Sequence, residues 1–94
     1  MKKITKEDAQ IVLQDALAKT NQKLSIAFFE PLDSIRIQLN YLVESLNDKN
    51  DRSRLREIII GRYAAFEFEL SDPKYADILH EASSICRLMT KGRL

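Results

Sequence analysis

A single histidine and a single cysteine are the first places to look for chemistry in these 94 residues. A thiol activated by an imidazole needs the two groups within hydrogen-bond reach. His80 and Cys86 are separated by a rotation of about 600° along a helix, which sends them to different faces. Asp77-x-x-His80 matches half of a carboxylate-bridged metal site, but the further carboxylates and the second histidine are missing. His80 therefore reads as part of a solvated helix face and Cys86 as a small core residue. There is no glycine-rich phosphate loop, because Gly61 lies inside a helical pattern. These residues nominate no catalytic group, no cofactor and no metal ligand, and the chain does not read as an enzyme.

Charge placement says more. Fifteen Lys and Arg against fourteen Asp and Glu leave a net charge of +1, too little for a protein that holds nucleic acid by basic excess. Arg52, Arg54 and Arg56 nevertheless crowd the start of a predicted helix, and Glu67 and Glu69 stand near its end. That order opposes the helix dipole, at a cost of about 0.3–1 kcal/mol for each charge near a terminus. Either neighbours offset it, with Asp48 and Asp51 beside the arginines and the next helix beside the glutamates, or the charges serve a partner. In the second case Glu67, Glu69 and Asp72 form an acidic ledge suited to a basic cleft. Ile37, Tyr41 and Glu44 pose a similar choice, since they lie off the main apolar stripe of their helix. They widen the core under the first helix, or Tyr41 is an exposed aromatic anchor rimmed by Arg36 and Glu44, as interface hot spots are. The candidate partner-binding set is Arg36, Ile37, Tyr41, Glu44, Tyr63, Glu67 and Glu69.

The elements that must position these residues are helices, and the expected fold is all-α: a compact antiparallel bundle of about four helices in one domain, 1–94. Two glycines and two prolines leave few turn points. Thr5 begins a capping pattern, and Ala9, Val12, Leu13, Ala16, Leu17 and Thr20 then line one face of a first helix that ends near 21–23. Leu24 to Phe29 is apolar without period, either a buried connection or a continued turn of helix. Leu32, Ile35, Leu39, Leu42, Val43 and Leu46 form the cleanest stripe in the chain, entered through Pro31 in the first turn and left through the polar run 47–50. Asp51 is the expected N-cap of a third helix from Arg52, with Leu55, Ile58, Ile59, Tyr63, Phe66 and Leu70 inward and Ile60, Ala64 and Ala65 widening the arc. Gly61 costs about 1 kcal/mol relative to Ala inside a helix, which points to close helix approach or a local bulge. Asp72-Pro73 restarts the chain as N-cap and first residue. Ala76, Leu79, Ala82 or Ser83, Cys86 and Met89 then face the core, and Gly92 is the C-cap.

The basic start, MKKITKEDAQ, meets acidic residues at once and no apolar signal core follows. No run approaches the ~18 residues of a membrane span, and a lone cysteine suits a reducing compartment. The expectation is a cytoplasmic protein with no membrane partner.

Taken in order, Gln38-Leu39-Asn40-Tyr41-Leu42, Asp51-Arg52-Ser53-Arg54-Leu55, Gly61, Glu67-Phe68, Asp72-Pro73 and Lys91-Gly92 resemble a known family. It is the small all-helical immunity proteins that neutralise NAD(P)-degrading toxins, NAD(P)+ glycohydrolases, of type VI secretion and related interbacterial competition systems. The likeness runs from about Leu17 to the C-terminus and rests on the order and nearly gap-free spacing of modest, non-catalytic motifs. The Phe28-Phe29-Glu30-Pro31 junction departs from the family pattern. The resemblance implies an inhibitor without catalysis or cofactor that binds a cognate toxin domain, a glycohydrolase or a related ADP-ribosyltransferase fold, and blocks its dinucleotide site. The candidate contact residues come from surface reasoning and are not supplied by the resemblance. The alternative is a helical adaptor or oligomerisation module with no toxin partner, to which a homodimer of the free protein would belong.

Overall fold

Thr5 opens the first helix as its sequence predicts. Its hydroxyl accepts the N–H of Asp8 at 3.1 Å while the Asp8 carboxylate accepts the N–H of Thr5 at 3.2 Å, a reciprocal capping box. The computed structural model describes residues 4–94, so the basic start at 1–3 lies outside the described residues. Helix α1 runs Lys6–Ile26, about a turn longer than its polar residues suggested. Leu24 to Ile26 therefore continues the helix, and the chain leaves it in an extended conformation at Ala27. Ala9, Leu13, Ala16 and Thr20 are buried along one face, with Val12 and Leu17 packed at its margin.

Helix α2, Glu30–Leu46, carries Pro31 in its first turn, where no backbone donor is lost. Leu32, Ile35, Leu39, Leu42 and Leu46 are buried and Val43 packs against them, so the stripe read from periodicity is the centre of the core.

The third element is where expectation and structure part. No α-helix starts at Arg52. Asn50 Oδ1 accepts the Arg52 N–H at 2.9 Å and Asp51 Oδ1 accepts the Ser53 N–H at 3.0 Å. These local bonds spend the capping side chains on turns, and Arg52 takes a left-handed conformation with φ of 60°. One 3₁₀ turn follows at Leu55–Glu57. Helix α3 then spans Ile60–Tyr63 and passes without a break into a π-helical turn, Ala64–Phe68, closed by Glu69 N–H on Ala64 O at 3.0 Å.

That wide turn changes which side chains are inside. Four residues over-rotate a 3.6-residue α-turn and under-rotate an i→i+5 turn, so the two deviations cancel. Ile60, Ala64 and Phe68 stay in line and are buried. Leu55 is buried as expected, but Ile58 and Tyr63 are only half-buried, and Ile59, Ala65, Phe66 and Leu70 are exposed. The expected inward assignment of Phe66 and Leu70 is thus reversed by the π turn.

Helix α4, Pro73–Thr90, is capped by Asp72, whose carboxylate accepts the Tyr75 N–H at 3.3 Å. Ala76, Leu79, Ala82, Cys86 and Met89 face the core, joined by Tyr75 and Ile85. Gly92 adopts the left-handed conformation, φ 72°, of a C-terminal stop. A Cβ on Gly61 would lie 2.9 Å from Ser83 Oγ, so close approach of α3 to α4 explains that glycine. The four helices pack with α1 against both α2 and α4, and α4 against α3 and the π turn. Among the described residues no helix is long and apolar enough to cross a membrane.

Among the described residues two polar side chains, Ser45 and Thr20, are buried. Ser45 Oγ donates to Tyr41 O at 2.9 Å, and Thr20 Oγ donates to Ala16 O at 2.7 Å. Thr20 Oγ also lies 2.6 Å from Tyr75 Oη. With its single proton committed to Ala16, Thr20 must accept here and Tyr75 must donate.

Candidate functional site

Residues seven apart on a helix return nearly to the same direction, so Glu30, Ile37 and Glu44 form one outward line along α2. Opposite that line runs the segment 51–59, with its single 3₁₀ turn, held by two bonds from α2 side chains. Tyr41 Oη accepts the Arg54 N–H at 2.9 Å, and Gln38 Oε1 accepts the Ile59 N–H at 2.7 Å. Between them opens a groove of about 510 Å³, walled by Arg36, Ile37, Tyr41 and Glu44 on one side and Arg54, Ile58 and Ile59 on the other. Ile37 and Ile59 give it an apolar floor that stays exposed.

The rim is charged on both walls. Arg36 donates to Asp33 Oδ1 at 2.7 Å. Arg54 reaches Glu57 at 3.2 Å, and this carboxylate holds the guanidinium pKa above its usual value. Glu44 has no ion-pair partner among the described residues and remains an open anionic group. Four of the seven candidate residues, Arg36, Ile37, Tyr41 and Glu44, thus meet in one concavity. Tyr41 differs from the free anchor expected of it, because its ring is half-buried and its hydroxyl is engaged in supporting the opposite wall.

Tyr63, Glu67 and Glu69 do not line the groove. Tyr63 packs half-buried against the core. Glu69 Oε1 lies 3.0 Å from His80 Nε2, so it is engaged by α4, while Glu67 is exposed without an ion-pair partner among the described residues. Asp72 does not join the ledge. Its carboxylate is paired with Lys23, which holds its pKa below the usual carboxylate value, and it also caps α4.

The arginines at 52–56 meet the expectation in part, with Asp48 beside Arg52 but Asp51 not paired with an arginine. Arg52 donates to Ser45 O at 3.2 Å and Leu94 O at 3.1 Å, and Asp48 is 3.8 Å away. Asp51 gives its carboxylate to Ser53 instead of to an arginine, and hydrogen bonds from the Ser53 side chain first and its backbone N–H second lower its pKa. Cys86 is buried with Sγ 3.6 Å from Leu55 O, and burial pushes its thiol pKa up, away from a reactive thiolate. Among the described residues no three His, Cys, Asp or Glu side chains are grouped to hold a metal.

Sequence reasoning missed a set of exposed apolar side chains, Phe28, Phe29, Phe66 and Leu70. Periodicity could not find the last two, because the π turn breaks the period. The aperiodic Phe28-Phe29 pair ahead of Pro31 was the legible hint.

Comparison with curated proteins finds no match. Among solved structures, a chain from one described as "Structure of Tse6 in complex with Tsi6" is similar at a TM-score of 0.85 and 29% identity, covering 89% of this chain and 92% of that one. The family model Tsi6 matches residues 8–87. The matched span holds most of α1, all of α2, the groove and most of α4, and it agrees with the resemblance carried by the 38–42, 51–55, 67–68 and 72–73 motifs. The chain belongs to the Tsi6 family, the immunity proteins of NAD(P)+ glycohydrolase toxins.

Proposed function

We propose that this chain is a cytoplasmic immunity protein that binds the NAD(P)+ glycohydrolase domain of a cognate toxin and obstructs its dinucleotide site through the groove along α2, with no catalysis of its own. One observation carries the reading: Arg36, Ile37, Tyr41 and Glu44 converge around an exposed apolar floor in a fold similar to that of a chain solved with a toxin. A floor of that kind excludes water from the centre of a contact, and the charged rim sets register and partner choice. Tyr63, Glu67 and Glu69 contribute from a neighbouring face, with the free carboxylate of Glu67 facing the cationic surroundings of a dinucleotide cleft.

The test is co-purification of the full chain with the toxin domain encoded beside its gene, followed by NAD+ hydrolysis with and without the chain. Stoichiometric inhibition that is lost in Ile37→Asp supports the reading. A chain that neither binds nor inhibits that domain overturns it.

A further inference from the structure

Large apolar side chains stand in water at the end of the bundle where α1 hands over to α2. Ile26 is 81% exposed and Phe28 74%, and Phe29 shows one edge. From a distant stretch of chain comes Leu70, fully exposed at 101%. Two contacts bring it there. Phe68 meets Phe29 edge-on with ring centroids 6.3 Å apart, and Asp72 is ion-paired with Lys23. Leu70 lies between those two attachments, so the turn that carries it crosses from the start of α2 to the end of α1.

The frame beneath this patch is stiff. Phe68 also packs edge-on against Tyr75 at 4.9 Å, and the Lys23 ammonium sits 4.8 Å over the Tyr75 ring. A backbone frame already held in place loses little freedom on binding, even where the side chains it presents stand free. Isolated exposed apolar residues are ordinary, but several together on a fixed frame mark a contact surface.

We propose that the toxin contact extends from the α2 groove across this apolar end, so that Phe28 and Leu70 are buried against the same toxin domain. The inference rests on the proposed function and adds the surface that completes it. Continuity supports it: Glu30, next to Phe29, stands in line with Ile37 and Glu44 on α2. Ser34 at the groove's near end is one turn, about 6 Å, from Glu30. Groove and patch together suit the ~800 Å² per side of a stable complex better than the groove alone.

Charge selects the occupant. Glu30, next to Phe29, and Glu67, next to Phe68, have no ion-pair partner among the described residues, while Lys23 is engaged by Asp72 and Lys74 stands exposed at the same end beside Ile26 and Asp72. A second copy of this chain would set these carboxylates against each other, a like-charge contact that opposes pairing. A cleft built to hold the diphosphate of NAD(P)+ offers cations instead.

The experiment measures the dissociation constant between the full chain and the adjacent-encoded glycohydrolase domain by calorimetry. Wild type is compared with Phe28→Asp, Leu70→Asp and the groove variant Ile37→Asp, each checked for folding by circular dichroism. Since Phe28 and Leu70 are exposed, their variants are expected to fold and to weaken binding at least about 10-fold. If both bind within about two-fold of wild type while Ile37→Asp fails, the patch inference is overturned and the groove reading stands. If wild type itself does not bind, the proposed function falls and this inference with it. A free-chain dimer that Phe28→Asp abolishes without changing toxin affinity would assign the patch to self-association and overturn the proposal.

Discussion

Tyr41 Oη accepts the backbone N–H of Arg54 at 2.9 Å, and this bond couples the two walls of the groove. The segment 51–59 makes one 3₁₀ turn of its own, Leu55–Glu57, and side chains of α2 hold the residues on either side of that turn. Tyr41→Phe keeps the ring and removes the bond. The expected result is a loss of about 0.5–1.5 kcal/mol in urea unfolding and faster amide hydrogen exchange at Arg54. Unchanged exchange at that amide would show that the segment is held elsewhere.

A second prediction concerns Thr20 and Tyr75. Because Thr20 donates to Ala16 O, Tyr75 Oη donates to Thr20 across the α1–α4 contact, and burial raises the Tyr75 pKa. Thr20→Val leaves a buried phenol without its acceptor, at about 1–3 kcal/mol. Tyr75→Phe removes the donor and is milder. The double variant is expected to be more stable than the sum of the singles by about 1 kcal/mol, measured in a double-mutant cycle by denaturant unfolding. Strict additivity would mean that the pair does not interact.

Residues 30–46 and 72–92 were legible because one rule dominates each. The 32–46 stripe has no competing phase, and Asp72-Pro73 leaves the chain one place to restart. Residues 51–70 were not legible, for a physical reason. Leu55, Ile58, Ile59, Ile60, Tyr63, Phe66, Phe68 and Leu70 are too many for a single stripe, so pattern alone permits several phases. Asn50 and Asp51 bond to the backbone two residues on, which moves the helix start to Ile60, and the π turn then selects Phe68 over Phe66. The candidate site was half legible. Arg36, Ile37, Tyr41 and Glu44 share a helix, so their proximity followed from spacing. That Arg54, Ile58 and Ile59 would form the facing wall depended on tertiary bonds from Gln38 and Tyr41 that no local pattern encodes.

The Lys23–Asp72 pair gives a pH prediction. The hydrogen bond from Lys23 is the main cause of the lowered Asp72 pKa. A carboxylate whose folded pKa lies below its unfolded value stabilises the fold above the unfolded value, and that contribution is lost as pH falls through the folded one. Wild type should therefore lose stability below about pH 4, the ordinary carboxylate range. Asp72→Asn keeps the N-cap but not the charge, so its loss over the same window should be smaller. At pH 7 the partly exposed pair should be worth no more than about 1 kcal/mol. Thermal unfolding from pH 2 to 7 checks both, and parallel acid profiles for the two proteins would rule the pair out as a source of acid sensitivity.

The last prediction separates steering from contact. Glu44 beside the groove and Glu67 next to Phe68 have no ion-pair partner among the described residues, so their fields reach solvent. If the toxin surface they approach is cationic, they accelerate encounter more than they hold the complex. Glu44→Lys with Glu67→Lys should lower the association rate by about 10-fold at low salt, with little change in dissociation rate. The wild-type rate should fall with added salt and the variant's should not, because screening acts on the long-range attraction that the variant lacks. Stopped-flow binding at several ionic strengths reads both. A faster dissociation at an unchanged association rate would place these carboxylates in short-range bonds across the interface. Phe28→Asp is the converse control: it adds a negative charge near the patch, so the association rate should hold or rise while dissociation accelerates from lost apolar burial.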